Sequence, residues 1–189
     1  SRLKNMQQEA TPPTNPSAQE TVNGLEAAIF RGVEADLMVV PAEGLSLTGS
    51  YAYTHVKMPS IINPFSGATA KWNATITPTH AGSVALDYGH RLGDFGKLTF
   101  HVDGIYSSGY YSYSTDKTKT GQTFLVNGRV TLGEIESPLG NVEYSLWGKN
   151  LTNVQYVEYD FEMPAPLAAI RVGYFNEPRS YGLDVRVRF

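Results

Sequence analysis

Seven stretches of this chain change chemistry at every second residue, and a period of two admits strands with unlike faces and little else. Following Ile29, Val33, Ala35, Leu37 and Val39 share one parity, while Gly32, Glu34, Asp36 and Met38 share the other. Leu45, Leu47, Gly49, Tyr51 and Tyr53 then oppose Ser46, Thr48, Ser50, Ala52 and Thr54. The pattern returns at Val84 to Tyr88, Leu98 to Tyr106, Phe124 to Leu132 and Val142 to Leu146, where Trp147 is an odd bulky residue on the polar parity. It ends with Tyr181, Leu183, Val185, Val187 and Phe189 against Ser180, Gly182, Asp184, Arg186 and Arg188. No helical period competes. The chain reads as all-β.

A soluble sandwich alternates too, so other features must separate it from a membrane barrel. The runs extend over roughly ten to thirteen residues, whereas strands of globular proteins average about 5–6. Ten tilted residues cross the apolar band of an outer membrane, about 25 Å tall. Connections also alternate in length. Short links are expected at Pro41 to Gly44, Leu92 to Gly96 and Glu134 to Gly140; long ones run from Lys57 to Thr79, Ser112 to Gly121 and Glu158 to Pro178. Short turns at one end and long loops at the other characterise transmembrane barrels. The polar parity holds small polar and charged groups, which suits a wide, wet lumen better than a packed core. Tyr51, Tyr53, Tyr106, Tyr110 and Tyr111 lie toward the long-loop ends, where tyrosines form an interfacial girdle.

Composition agrees. Charged residues are 17% of the chain, below the roughly 25% usual in soluble domains. The net charge of −3 gives no basic stripe for nucleic acid, and the absence of Cys rules out disulfides and thiolate chemistry. No apolar run approaches the roughly 20 residues of a spanning helix. Ser1 to Glu20 is polar, without the apolar centre of a signal peptide, so the chain is expected to be mature or to begin inside something larger.

Several motifs together resemble the TonB-dependent outer-membrane receptors. Arg31-Gly32-Val33-Glu34-Ala35-Asp36-Leu37 resembles a strand of that family, and Leu146-Trp147-Gly148-Lys149-Asn150-Leu151-Thr152-Asn153, followed by Tyr156, resembles its penultimate strand. Pro178-Arg179-Ser180-Tyr181-Gly182 matches the entry to the last strand. The series Tyr181, Leu183, Val185, Val187 and terminal Phe189 resembles the C-terminal signal read by the barrel-assembly machinery. The resemblance covers residues 25–189, with Leu3 to Gln7 as one weaker preceding strand.

It implies an antiparallel transmembrane β-barrel of about 22 strands, of which this chain holds the last seven or eight. Residues 1–26 would be a partial strand plus a polar surface loop (Thr11 to Asn23), with Ser1 near the periplasmic start of its strand; residues 27–189 would be the C-terminal strands. The implied function is receptor and importer of a scarce ligand, such as a siderophore, cobalamin or a sugar, driven through a plug domain by the TonB complex. The plug, the energy-coupling box and the earlier strands are not in this sequence. A partial sheet has two open edges, which lipid does not tolerate, so a second chain or the rest of a nicked receptor is an expected partner. Outer-membrane lipid, a small-molecule ligand and a surface lipoprotein or other outer-membrane subunit complete the implied partners.

No catalytic, cofactor or metal constellation emerges. His55, His80, His90 and His101 are scattered without ligand spacing, and His101 with Asp103 reads as polar lining. Asn73-Ala74-Thr75 and Asn150-Leu151-Thr152 match glycosylation acceptors by chance. Glu34, Asp36, Asp87, Asp103, Arg129, Glu143, Lys149, Asp184, Arg186 and Arg188 are expected to pair across strands or to meet the plug. Ligand contacts are expected from the long loops, through Phe65, Trp72, Tyr113, Lys117, Tyr159, Phe161, Tyr174 and Phe175. Met163-Pro164-Ala165-Pro166-Leu167 suggests a stiff, partly apolar loop. Two other classes compete: a self-contained eight-stranded barrel acting as adhesin, anchor or lipid enzyme, and a secreted β-sandwich. The small inner-face residues disfavour the first, and strand length disfavours the second.

Overall fold

A computed structural model describes residues 1–10, 19–138, 140–163 and 170–189. Its strands are β1 Arg2–Leu3, β2 Gln7–Ala10, β3 Glu20–Asn23, β4 Ala28–Ala42, β5 Leu45–Lys57, β6 Ser60–Ile62, β7 Thr69–Lys71, β8 His80–Arg91, β9 Lys97–Ser107, β10 Thr123–Ser137, β11 Gly140–Lys149, β12 Val157–Met163, β13 Ile170–Phe175 and β14 Ser180–Arg188. Eight of them form one antiparallel sheet, in the order β1-β4-β5-β8-β9-β10-β11-β14. The other six pair off as three hairpins, β2-β3, β6-β7 and β12-β13.

The seven alternating runs are the seven long strands, and the register shows why their parities must agree. Val33 faces Tyr53, Leu47 faces Leu86, Leu86 faces Val102, Phe100 faces Val130, Val130 faces Leu146 and Leu146 faces Leu183. One apolar face therefore runs unbroken across the sheet. A slip of one residue anywhere would turn a whole strand inside out. That face carries large exposed side chains, including Val33, Leu37, Val84, Leu146 and Leu183. Of the buried apolar residues, Ala10, Ala27, Ala28, Met58 and Ile61 lie in the loops and strand ends at one end of the sheet, away from this face, and Val142, near the short-turn end of β11, is on it. Among the described residues no second layer faces it, and a sheet with its large apolar side chains outside is suited to an apolar solvent.

Local chemistry closes the other end tightly. Gly44 takes φ +75° in the β4–β5 turn, and its carbonyl accepts from the Gly89 amide at 2.7 Å. A short helical turn, Gly93–Phe95, joins β8 to β9. Trp147, the odd residue of its run, lies on the polar face over Gly182, where an added Cβ would enter the indole. Its Nε1 donates to Asp184 at 3.2 Å, so the polar face supplies a partner for the ring nitrogen.

Three expectations need correction. The link expected over Glu134 to Gly140 is much shorter, because β10 runs on to Ser137 and pairs it with Gly140. Glu134 at φ +56° makes a bulge there, which returns Ile135 to the face of Val142. The strand expected from Leu3 to Gln7 pairs with β4 only at Arg2 and Leu3, and Asn5 at φ +55° turns the chain away into β2. Ser1 sits at the long-loop end rather than the periplasmic one, its amino group 2.7 Å from the Phe30 carbonyl. Of the Thr11 to Asn23 surface segment, residues 11–18 lie outside the described residues, and Glu20–Asn23 is the strand β3.

Candidate functional site

The long loops gather at one end of the sheet, and the segment between β9 and β10 (108–122) holds the other two. On one side, the Asn73 amide donates to Ser114 O at 2.8 Å, Asn73 Nδ2 donates to Asp116 O at 2.7 Å, and the Ile76 amide donates to Tyr111 O at 2.8 Å. On the other side, Tyr110 Oη donates to Glu158 O at 2.6 Å, and the buried Asp160 amide donates to Ser112 Oγ at 3.1 Å. Arg171 pairs with the buried carboxylate of Asp160 and donates to Thr118 Oγ1 at 2.8 Å. A buried carboxylate is tolerable only when paired, so the ion pair braces the β12-β13 hairpin, and the bond from Arg171 to Thr118 ties that hairpin to the middle loop. The middle loop is itself braced by Asp116 Oδ2, which accepts from the Tyr113 amide at 2.6 Å.

Aromatic contacts reinforce the same seam. Tyr113 lies 5.2 Å from Tyr159 and 5.5 Å from Phe161, ring centre to ring centre. A hydrogen bond with Tyr113, then burial and the nearby Asp116 and Asp160, push the Tyr159 hydroxyl up to about 12. Tyr159 therefore stays a neutral hydroxyl throughout the physiological range. Burial, helped by the charge of Glu158, likewise raises Tyr110.

Of the loop residues singled out from the sequence, Tyr113, Tyr159 and Phe161 come together in this seam. Trp72 lines a cavity of about 480 Å³ with Lys57, Lys71, Tyr111 and Lys119. Phe175 lines a second, of about 700 Å³, with Tyr156, Asp160 and Arg171. Phe65 and Tyr174 are exposed and join neither cavity. Lys117 is exposed as well, and Lys119 rather than Lys117 lines both cavities. Residues 164–167 of the expected stiff apolar loop lie outside the described residues.

Below the loops, the polar face is a connected hydrogen-bond network. His101 Nδ1 lies 2.7 Å from Asp87 Oδ1 and its Nε2 3.3 Å from Asp103 Oδ1. Asn127 Nδ2 donates to Asp103 Oδ2 at 2.8 Å, and Asn127 Oδ1 accepts from the Asn150 amide at 3.0 Å. Arg129 pairs with Asp184 at 2.9 Å, Arg186 with Glu143 at 3.6 Å, and Lys149 Nζ sits 5.9 Å over Trp147. Glu34 and Asp36 have no ion pair among the described residues. Among the described residues, no group of His, Asp and Glu is arranged to hold a metal ion.

Asn150, which the sequence marks only as part of a motif, is the pivot between network and loop. It is buried and takes φ +49°, a conformation Asn tolerates better than most residues. Its Nδ2 donates to Val154 O at 3.0 Å and Glu177 O at 3.1 Å, and its Oδ1 accepts from the Val154 amide at 3.0 Å. Both legs of the last long loop are thus tied to one side chain. The clue available in the sequence was an Asn in a strand-ending Asn-Leu-Thr-Asn segment, where left-handed backbone is common.

No protein-family model matches the chain. It is 28% identical to an uncharacterized TonB-dependent receptor of Haemophilus influenzae strain Rd over 134 residues, 67% of this chain and 36% of the relative. Its fold superimposes on the crystal structure of the ferric yersiniabactin uptake receptor FyuA from Yersinia pestis with a TM-score of 0.69, at 15% identity, covering 86% of this chain and 24% of that one. The chain thus spans about a third of the curated relative's length and a quarter of the solved receptor's. Sequence similarity and fold agree in likening the chain to part of the barrel of a TonB-dependent receptor.

Proposed function

We propose that this chain supplies the C-terminal wall and loops of an outer-membrane receptor that binds a scarce ligand at the cell surface and imports it with TonB-transmitted energy. The observation that carries the reading is the division of labour in the sheet. One face is apolar throughout, the other is a polar network, and interlocked loops roof a single end. Such a wall meets lipid outside, a wet interior inside, and ligand above. The loop aromatics Trp72, Tyr113, Tyr159, Phe161 and Phe175, with the outlying Phe65 and Tyr174, are the proposed ligand-contacting set. Tyr181, Leu183, Val185, Val187 and Phe189 are the proposed assembly signal, all exposed on one parity of β14.

The remaining strands and the plug come from the rest of the receptor, in the same polypeptide or as a second chain. The competing small barrel would have to fill a narrow interior with bulky side chains, whereas much of the polar parity is small, as at Ser50, Ser83, Ala85 and Thr131. A receptor role without catalysis also fits the relatives, which carry receptor names.

Transport tests this directly. Cells with and without the intact receptor, each with and without TonB, would be supplied with labelled ferric siderophores, cobalamin and oligosaccharides. One ligand class should enter only when both the receptor and TonB are present. Uptake of every class that is indifferent to removing the receptor would reject an importing role.

A further inference from the structure

On the polar face, one line of contacts enters each side chain at one atom and leaves it at another. His101 stands mid-strand in β9, with Asp87 directly opposite on β8 and Arg129 directly opposite on β10. Its Nδ1 lies 2.7 Å from Asp87 Oδ1, and its Nε2 lies 3.3 Å from Oδ1 of Asp103, two residues nearer the loops. Asp103 uses its other oxygen, Oδ2, to accept from Asn127 Nδ2 at 2.8 Å. Asn127 uses Oδ1 to accept from the Asn150 amide at 3.0 Å. The Asn150 side chain then holds both legs of the last long loop. Four residues join the middle of the wall to its roof.

Ionised carboxylates accept hydrogen bonds and cannot donate them, so His101 satisfies both contacts only when both ring nitrogens carry a proton. A neutral imidazole has one N–H and one lone pair. The proton stays at the shorter contact, to Asp87, and the lone pair then faces Asp103, where attraction turns to repulsion. The other charged groups on the neighbouring strands are engaged elsewhere. Arg129 is drawn across to Asp184 at 2.9 Å, Arg91 of β8 pairs with Glu134 at 2.6 Å, and Lys97 of β9 itself lies along Gly89. Among the described residues, Asp103 has His101 as its one ion-pair partner. The line also has a wet end and a dry end: the His101 side chain is 38% exposed, open to protons from solvent, whereas Asn150 is buried.

We infer that His101 is a proton-controlled tether for the last long loop, a positioning residue that acts through Asp103, Asn127 and Asn150. With both nitrogens protonated, His101 holds Asp103, Asp103 fixes the Asn127 amide, and Asn127 holds the backbone at Asn150. Loss of one proton frees Asp103, and the slack reaches the loop at β12 and β13. The tethered state binds the extra proton, so the tether is present at the acid end and is lost as the pH rises. The device rests on the reading of this face as a wet interior. The two fail differently: a receptor absent from membranes would defeat the barrel, whereas a membrane-embedded receptor whose loop ignores pH would defeat only the tether.

The experiment follows amide exchange of the intact receptor in lipid vesicles from about pH 5.5 to about pH 9, a window that spans the imidazole range and leaves carboxylates ionised. Expressing the result as protection factors removes the intrinsic pH dependence of exchange. In wild type, protection over Val157–Met163 and Ile170–Phe175 should fall about tenfold as the pH rises, the equivalent of one hydrogen bond to a charged group, while β10 and β11 hold constant. His101→Gln offers an amide donor and an acceptor, as neutral imidazole does, and should show the low value at every pH. Asn127→Asp sets an acceptor against Asp103 and should flatten the profile in the same way with His101 intact. The double variant should match either single one, because both cut the same line. A flat wild-type profile, a His101→Gln profile that still bends with pH, or additive losses in the double variant would overturn the tether. Should His101→Gln not fold, the wild-type and Asn127→Asp profiles decide the matter by themselves.

Discussion

Leu183→Arg is expected to keep the receptor from assembling stably in a bilayer. Leu183 lies mid-strand in β14, opposite Leu146, and both side chains are more than half exposed on the continuous apolar face. A cation on the lipid face of a barrel costs about 2–4 kcal/mol near the bilayer midplane. In a soluble sheet, an exposed Leu replaced by Arg would change stability by no more than about 0.5 kcal/mol. The neighbouring Arg186→Gln supplies the control, since Arg186 is on the polar parity and largely exposed, and its 3.6 Å pair with Glu143 is partly exposed. Denaturant unfolding in lipid vesicles should therefore separate the two variants sharply. A Leu183→Arg receptor as stable as wild type would mean that this face does not meet lipid.

Asn150→Ala is expected to release the last long loop while leaving the sheet intact. The substitution removes two donors and one acceptor at a buried point where both loop legs converge. Each unreplaced hydrogen bond contributes about 1 kcal/mol, and Ala at φ +49° adds a backbone cost of about 1–2 kcal/mol. The total, about 4–5 kcal/mol, should accelerate amide exchange over Val157–Met163 and Ile170–Phe175 by roughly a thousandfold or more. Asn150→Gly relieves the backbone and loses the hydrogen bonds, and Asn150→Asp keeps the acceptor alone, so both should fall between. Equal acceleration in β10 and β11 would show that Asn150 supports the sheet and not the loop. Unchanged exchange in β12 and β13 would remove it as the pivot.

The strands were legible because their signal is repeated and enforced. Seven runs had to share one outward parity, and a single error would have put Glu34, Asp87 or Asp184 on the apolar face. The bulge at Glu134 and the departure of the chain at Asn5 were not legible, because each depends on one residue in left-handed backbone. Loop chemistry was half legible. Aromatic residue types pointed to Tyr113, Tyr159 and Phe161, but their assembly depends on Arg171 reaching Asp160 across a hairpin that pattern alone does not place. Lys119 was passed over for Lys117 because two positions along a loop have no periodic rule to distinguish them. His101 with Asp103 was visible as a pair, whereas the contribution of Asp87 appears only once the β8–β9 register puts it opposite His101. The oddness of Trp147 was a true signal whose meaning lay in Gly182 on the next strand.

The central claim is that these strands are one sector of a large barrel, and a single distance tests it. This sequence has no Cys, so spin labels at Leu37→Cys and Leu183→Cys meet no background from this part of the receptor, and any Cys elsewhere in the intact receptor is replaced by Ser. In the sheet, β4 and β14 are six strand spacings apart, roughly 29 Å along the wall at about 4.8 Å per spacing. Pulsed electron spin resonance on the intact receptor in membranes should report a separation of roughly 25 Å or more. A small closed barrel would bring β4 and β14 around to within two spacings, roughly 10 Å. A dominant distance near 10 Å would contradict the account.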